Sequence, residues 1–374
     1  GLMVVNLGHN NKYIIDGFKE QLSTGLTYVP HSFSTIPRER LSEKIIDVTN
    51  KDGKVFYTLG GAESNEVAMY LSLEYQKSKN SNKKRILSYQ KSYHGGSTLL
   101  SSLLSGDDRT LERRQENRNI LIEPIMPNPD NKNSLDEIEK ILQVGDVASI
   151  FIEGSSGSAG CFLYPPHYLE KIEKMCKKYD TILICDEVMS GWGRTGKLFA
   201  HMHSNITPDI ITTAKGLTCG YIPMGAAIVS KKITDIFEDK IMASGLTYFG
   251  HPLACNIADR CLDLYLENNQ NIISEAKNKG NIILKIGEQI LDNNSIIKDF
   301  RINGLLGCFE LNITDPNITK ILFEKLIERD VFCYVKKNFV FLAPPLIIDY
   351  HDIYDTLKKI EEVLSEIEFI YNKK

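Results

Sequence analysis

The sequence predicts an α/β fold, with a large domain built on a mostly parallel, mixed sheet and a smaller α+β domain beside it. Three observations carry this reading. Short β-rich runs alternate with amphipathic helical stretches five or more times, the pattern of strands joined by helices that cover both faces of a sheet. Beyond residue 293 the pattern changes to strand, helix, strand, strand, helix. The apolar runs at 182–185 and 210–213 are each too short for a buried helix, and they deliver Asp186 and Lys215. A carboxylate and an amine where buried strands give way to loops are placed for catalysis, because open α/β sheets bind ligands at the carboxyl ends of their strands. The expected division is a large domain at 36–293 and a small domain formed by 1–35 together with 294–374.

Taken in order, a short apolar run at 3–5 precedes an amphipathic stretch at 13–22, where Ile14, Phe18 and Leu22 fall at helical spacing. Pro37 opens a helix that runs past Val48, and Lys51-Asp52-Gly53 turns into a strand at 54–59. That strand runs into Gly60-Gly61-Ala62-Glu63-Ser64-Asn65-Glu66 at the start of a helix. Small residues there leave the first N–H groups bare, which suits a phosphate; an ordinary capped turn accounts for the same residues. The spacing is not that of a dinucleotide-binding glycine loop.

A strand at 85–89 leads to Tyr93-His94-Gly95-Gly96, where an aromatic ring can lie against a planar ligand while glycines let the backbone approach. A core tyrosine and a satisfied loop histidine are the plain alternative. Residues 105–118 read as a charged surface excursion, followed by a strand at 119–122 and a helix at 135–142 capped by Ser134. The strand at 148–152 ends in Glu153 and the loop 154–160, and a helix at 166–179 returns to the Asp186 strand. After Lys215 come a strand at 226–230, the segment 245–252, and one long helical region to residue 293. The remainder predicts strands at 307–312, 331–334 and 339–342 and helices at 318–329 and 352–371.

Bulk properties narrow the function classes. Lys plus Arg number 44 against 48 Asp plus Glu, for a net charge of -4 without blocks of like charge, which argues against nucleic acid as a partner. Eight cysteines are scattered without paired spacing and read as thiols of a reducing cytosol. No run reaches the ~18 apolar residues of a membrane helix, and the first residues lack a signal peptide's features. The expectation is a cytoplasmic protein that engages neither membrane nor nucleic acid.

Lys215 stands among small and apolar neighbours, which favour a desolvated amine able to form a Schiff base. A buried carboxylate such as Asp186 can pair with a protonated pyridine nitrogen. No second carboxylate or histidine lies at ligand spacing near Asp186 and Glu187, so no metal site is expected.

Five motifs then coincide in order along nearly the whole chain: GGAESNEVAM, YHGGS, DEVMSGWGRTG, PDIITTAKGLTCGYIPMGA and GLTYFGHPLAC. Together they resemble the class III pyridoxal-phosphate aminotransferases of fold type I. The resemblance implies that Lys215 holds pyridoxal 5'-phosphate covalently and shuttles the substrate proton. It implies that Asp186 pairs with the pyridine nitrogen, that Tyr93 and Val188 sandwich the ring, and that Gly61 and Ala62 cradle the phosphate. His94 and Glu153 join the expected cofactor set. Thr247 matches a threonine that reaches the phosphate of a neighbouring subunit, which implies a homodimer with shared active sites.

Departures from the family pattern narrow the substrate. Ser158 stands where ornithine- and 4-aminobutyrate-type members carry a carboxylate, and Met189 replaces the commoner glutamine. Ser158 argues against a glutamate-type arrangement, and Met189 together with KGLTCGYIPMG and GHPLAC is similar to a branch that uses ω-amino donors with pyruvate as acceptor. That branch commonly places a carboxylate-binding arginine shortly before the APPL motif; here Lys336 and Lys337 precede Ala343-Pro344-Pro345-Leu346. The expectation is an aminotransferase acting on an ω-amino acid or amine and a 2-oxo acid, the small-molecule partners of the site. Decarboxylation, amino migration or a non-catalytic regulatory role on the same fold are the alternatives.

Overall fold

The computed structural model describes residues 2–30, 32–105, 126, 129–313 and 315–372. The strand expected at 119–122 and nearly all of the excursion at 105–118 lie outside the described residues. Two sheets organise the fold. Among the described residues the larger has six strands: β1 (Gly53–Thr58), β2 (Arg85–Leu87), β3 (Val147–Glu153), β4 (Ile182–Asp186), β5 (Ile210–Thr213) and β6 (Gly225–Ser230). Their spatial order is β1-β6-β5-β4-β3-β2. Strands β2 to β5 pair in parallel, while β6 runs antiparallel to both β5 and β1.

Every residue of β3, β4 and β5 is buried, as a sheet covered on both faces requires. Successive side chains alternate between two cores. Phe151, Ile182 and Ile184 pack with Val67, Met69 and Leu71 of the helix Gly61–Ser78. Ile150, Ile152, Leu183 and Cys185 pack on the opposite face with Ile138 and Ile172, from the helices Ser134–Gln143 and Tyr168–Lys178.

The smaller sheet is antiparallel, ordered β7 (Ile297–Asn303), β8 (Leu306–Leu311), β10 (Phe339–Leu342), β9 (Tyr334–Lys336). The helices Pro316–Ile327 and Tyr350–Asn372 pack with it, joining Phe300, Phe309 and Val340 to Leu322, Leu326 and Ile360 in one core. The expected strand at 331–334 is displaced: pairing begins only at Tyr334, and Val331 and Cys333 are buried core residues preceding it. The long helix Pro252–Asn293 is broken, since Asn268, Asn269 and Gln270 take positive φ angles. Among the described residues no helix is long and apolar enough to cross a membrane.

Candidate active site

Strand register builds the site. Glu153 pairs with Asp186, and Asp186 with Thr212, so three polar side chains form one row where the parallel strands end. Lys215 follows β5 by two residues. Beside this row lies a cavity of about 390 Å³, lined by Gly61, Ala62, Tyr93, His94, Glu153, Asp186, Val188 and Lys215 among others. Eight of the nine expected site residues therefore converge on one space.

Asp186 is 4 % exposed and held by three donors. Asn65 Nδ2 donates to its Oδ2 at 2.8 Å, His94 Nδ1 lies 2.7 Å from the same oxygen, and the Val188 N–H donates to Oδ1 at 2.9 Å. A buried carboxylate so surrounded keeps its orientation. Asn65 is fixed in turn: Thr212 Oγ1 donates to its Oδ1 at 2.6 Å, and Nδ2 also reaches the His94 carbonyl at 2.8 Å. His94 Nε2, fully buried, has no partner among the described residues.

Glu153 has a different environment. Ser156 Oγ donates to its Oε2 at 3.2 Å, and burial together with the nearby Asp186 charge pushes its carboxyl up to about 7. The Tyr164 hydroxyl donates to the Glu153 carbonyl at 2.8 Å and anchors the strand end.

Lys215 sits at φ 43°, a left-handed conformation that a non-glycine residue adopts at a cost. The turn around it enforces that geometry. The Leu217 N–H bonds the Ala214 carbonyl, the Thr218 N–H bonds the Lys215 carbonyl, and the Tyr265 hydroxyl donates to the Gly216 carbonyl at 2.8 Å. A Cβ on Gly216 would lie 2.6 Å from Asn6 Nδ2, so only glycine lets the N-terminal segment close over this turn.

The helix Gly61–Ser78 starts against the same cavity, and Gly60 offers no side chain to cap its first N–H groups. A Cβ on Gly61 would meet both Val188 methyls at 2.8 Å, and one on Gly95 would meet Ala62 Cβ at 2.8 Å. Bare N–H groups at a helix start, glycine-lined walls, a buried carboxylate, an unpartnered imidazole nitrogen and a lysine fit a flat, phosphorylated pyridine.

Thr247 stands apart from the other expected residues. It is exposed and does not line the cavity; its carbonyl accepts the Tyr28 hydroxyl at 2.7 Å. Lys336 and Lys337, at the β9 turn, do not line it either. Asn65 and Thr212 escaped the sequence reading, although a lone Asn between apolar positions of a buried helix face was a usable signal. Glu187 is another such case. Its carboxylate accepts His201 Nδ1 at 2.8 Å, the His201 and Ala200 N–H groups, and Ser190 Oγ at 2.6 Å. Cys185, Glu187 and His201 bring potential metal ligands together, which the sequence spacing did not suggest. With both Glu187 oxygens already accepting, the group acts as a clamp on the loop that follows Asp186.

Comparisons with known proteins agree with this geometry. Residues 1–364 match the family model described as aminotransferase class-III. A gamma aminobutyrate transaminase 2 of Solanum lycopersicum is 33% identical over 98% of this chain and 89% of its own length. An acetylornithine/succinyldiaminopimelate aminotransferase of Photorhabdus laumondii is 29% identical over 98% and 88%. The solved taurine:2-oxoglutarate aminotransferase of Bifidobacterium kashiwanohense, in complex with PLP and glutamate, superposes with a TM-score of 0.91 at 30% identity, covering 98% of this chain and 87% of that one. The fold is that of the fold type I pyridoxal-phosphate transferases. The chain belongs to the class III aminotransferases, enzymes that use pyridoxal phosphate to move an amino group from an amino donor to a 2-oxo acid.

Proposed function

We propose that this enzyme takes its amino group from an ω-amino acid or an amine and passes it to pyruvate. The observation that carries this reading is the wall around Lys215. Val4, Leu59, Met189, Ile222, Pro223 and Met224 line the cavity, and Ser158 leaves its loop without a second carboxylate. An apolar wall suits a donor whose reacting amine is remote from charged groups.

Pyridoxal phosphate, when bound, supplies an electron-withdrawing ring that acidifies the donor's carbon–hydrogen bond. The chain's own residues then divide the work. Lys215 Nζ holds the cofactor covalently and, once released, moves the proton at the carbon bearing the amine. Asp186 holds a proton on the ring nitrogen, and His94 and Asn65 keep the Asp186 carboxylate in place. Gly61 and Ala62 bind the phosphate with backbone N–H groups. Tyr93 and Val188 orient the ring from its two faces, and Glu153 supports the floor beside Asp186.

Thr247 serves the phosphate of a partner subunit, so the working form is a homodimer. Its exposure supports this, as does the apolar surface beside it, where Tyr28 and Tyr248 pack edge to face at 6.1 Å. The same reading assigns residues 36–293 to the cofactor-binding domain and 1–35 with 294–374 to the small domain.

The test combines a spectrum with a substrate panel. Lys215→Ala abolishes the visible absorbance of the bound cofactor and all turnover; unchanged absorbance would make the lysine assignment wrong. Stopped-flow mixing of the wild-type holoenzyme with taurine, β-alanine and simple primary amines bleaches that absorbance, and pyruvate restores it. Recovery with 2-oxoglutarate and not with pyruvate would overturn the acceptor.

A further inference from the structure

A 2-oxo acid brings a full negative charge into the cavity, and once water is displaced its carboxylate needs donors from the protein. Among the described residues Lys215 is the only lysine or arginine that lines the cavity, and it is committed to the cofactor. Arg301 reaches the loop after Glu153 but is fully engaged. Its Nε donates to the Gly160 carbonyl at 2.7 Å, Nη1 pairs with Asp299 at 2.5 Å and Nη2 with Glu310 at 2.7 Å. Arg194 is buried, donating to the carbonyls of Leu305 and Pro344 and to Asn6 Oδ1.

The loop itself is unusual. Ser155, Ser156, Gly157 and Ser158 are all buried, yet the backbone N–H groups of residues 155–159 have no acceptor among the described residues. Ser158 Oγ, in a residue 8 % exposed, has no partner among them either. Buried donors in folded proteins are almost always paired. A run of four buried residues without acceptors marks a place where the acceptor comes from outside the described chain, and successive N–H groups around a concavity bind anions.

The loop meets the cavity directly. Ser155 lines it, and Gly157 packs against Met189, which lines it too. Asn303 Nδ2 lies 3.4 Å from Ser155 Oγ and donates to it, so the Ser155 hydroxyl proton is left to point elsewhere. The Gly157 carbonyl accepts the N–H groups of Gly160 and Cys161 and is engaged in the loop's own closure. Glu153 is the opposing charge, and its carboxyl is held near neutrality by burial, so repulsion is weak on the acid side of pH 7.

We propose that the Ser155–Ser158 loop is the subsite that receives the carboxylate of the 2-oxo acid, through the Ser155 hydroxyl and neighbouring backbone N–H groups. The subsite is neutral and donor-rich. It rests on the transaminase reading above, but not on which 2-oxo acid is used, since the 1-carboxylate is common to all of them.

The experiment compares pyruvate with acetaldehyde, which lacks the carboxylate, as acceptors for the holoenzyme and its variants. In Ser155→Ala the ratio of kcat/KM for pyruvate to that for acetaldehyde falls roughly tenfold, the effect of one hydrogen bond to a charged group. Ser155→Thr, which keeps the hydroxyl, retains most of the wild-type ratio. An unchanged ratio in Ser155→Ala, or an equal fall in both variants, overturns the proposal. Should Ser155→Ala lose its cofactor absorbance, the ratio is read on Gly157→Ala, whose Cβ would collide with Met189 and shift the loop's N–H groups: a fall supports the subsite and an unchanged ratio overturns it. Repeating the comparison with 2-oxoglutarate separates the readings: a preference between the two acids bears on the proposed acceptor, while a Ser155 effect shared by both bears on the subsite.

Discussion

Glu153 gives the structure a pH-dependent weakness that can be measured. Burial lifts its carboxyl from an ordinary 4.5 to about 7 in the folded protein. The folded state therefore holds this proton more tightly than the unfolded state between those two values. Stability contributed by the protonated side chain is fully present below pH 4.5 and is lost as pH rises towards 7. At about 1.4 kcal/mol for each tenfold change in proton affinity, the full loss is about 3 kcal/mol. Most of it falls between pH 5 and pH 8. Glu153→Gln keeps the shape and cannot ionise, so it escapes the penalty. The expected result is that the stability of the variant relative to wild type rises by roughly 2 kcal/mol from pH 5 to pH 8. Urea unfolding of the two holoenzymes at fixed protein concentration reads this difference. A gap that stays constant with pH would refute the reasoning, because it would mean that Glu153 ionises in the folded protein as easily as in the unfolded chain.

Two further substitutions test close approaches. In Gly61→Ala the new methyl lies 2.8 Å from both Val188 methyls, and Val188 is itself tied to Asp186, so relief would displace the cofactor's carboxylate partner; an overpacking cost of about 1–3 kcal/mol should appear as weaker cofactor binding in an absorbance titration. Gly280→Ala reverses the usual sign of a helix substitution. Helical propensity alone would stabilise the alanine by about 1 kcal/mol, but its Cβ would lie 2.7 Å from the Gly304 carbonyl carbon, and Gly304 is itself backed against Thr195 and Gly196. Thermal unfolding should show net destabilisation, and a raised Tm would show that the two backbones can separate freely.

The parts of the fold that could be read in the sequence are those where one physical rule acts alone. Strands β3 to β5 are covered on both faces, so Ile150 to Ile152, Ile182 to Cys185 and Ile210 to Thr213 appear as unbroken apolar or small runs. Strand β7 obeys no such rule. Its sequence IKDFRIN mixes charges with apolar residues because it lies at the edge of the smaller sheet, where Lys298 and Arg301 pair with Glu310 of the neighbouring strand. The displaced β9 has a similar origin: Val331 and Cys333 are apolar because they fill the core, and cross-strand pairing with Phe341 begins only at Tyr334. The helix break was visible in principle, since Asn268-Asn269 are residues that tolerate left-handed backbone, but the apolar spacing on either side concealed it.

The site divides along the same line. In the proposed mechanism Lys215, Asp186 and Tyr93 act through side-chain chemistry, and a residue letter carries that chemistry wherever the fold places it. The network that makes Asp186 useful depends on strand register, which brings Thr212 beside Asp186 and lets one amide, Asn65, serve both the carboxylate and the histidine backbone. Register is a property of pairs of strands, and no single segment announces it. The Ser155–Ser158 loop goes one step further, because its donors are mostly backbone N–H groups that every non-proline residue possesses. What distinguishes them is burial without an acceptor, a quantity that exists only in three dimensions. Cofactor chemistry is thus legible in side chains, whereas recognition of the acceptor, if it rests on that loop, is written in backbone conformation; exchanging Ser156 for Thr should then leave the pyruvate-to-acetaldehyde ratio near wild type, while Gly157→Ala, whose Cβ would collide with Met189, should lower it by shifting the loop.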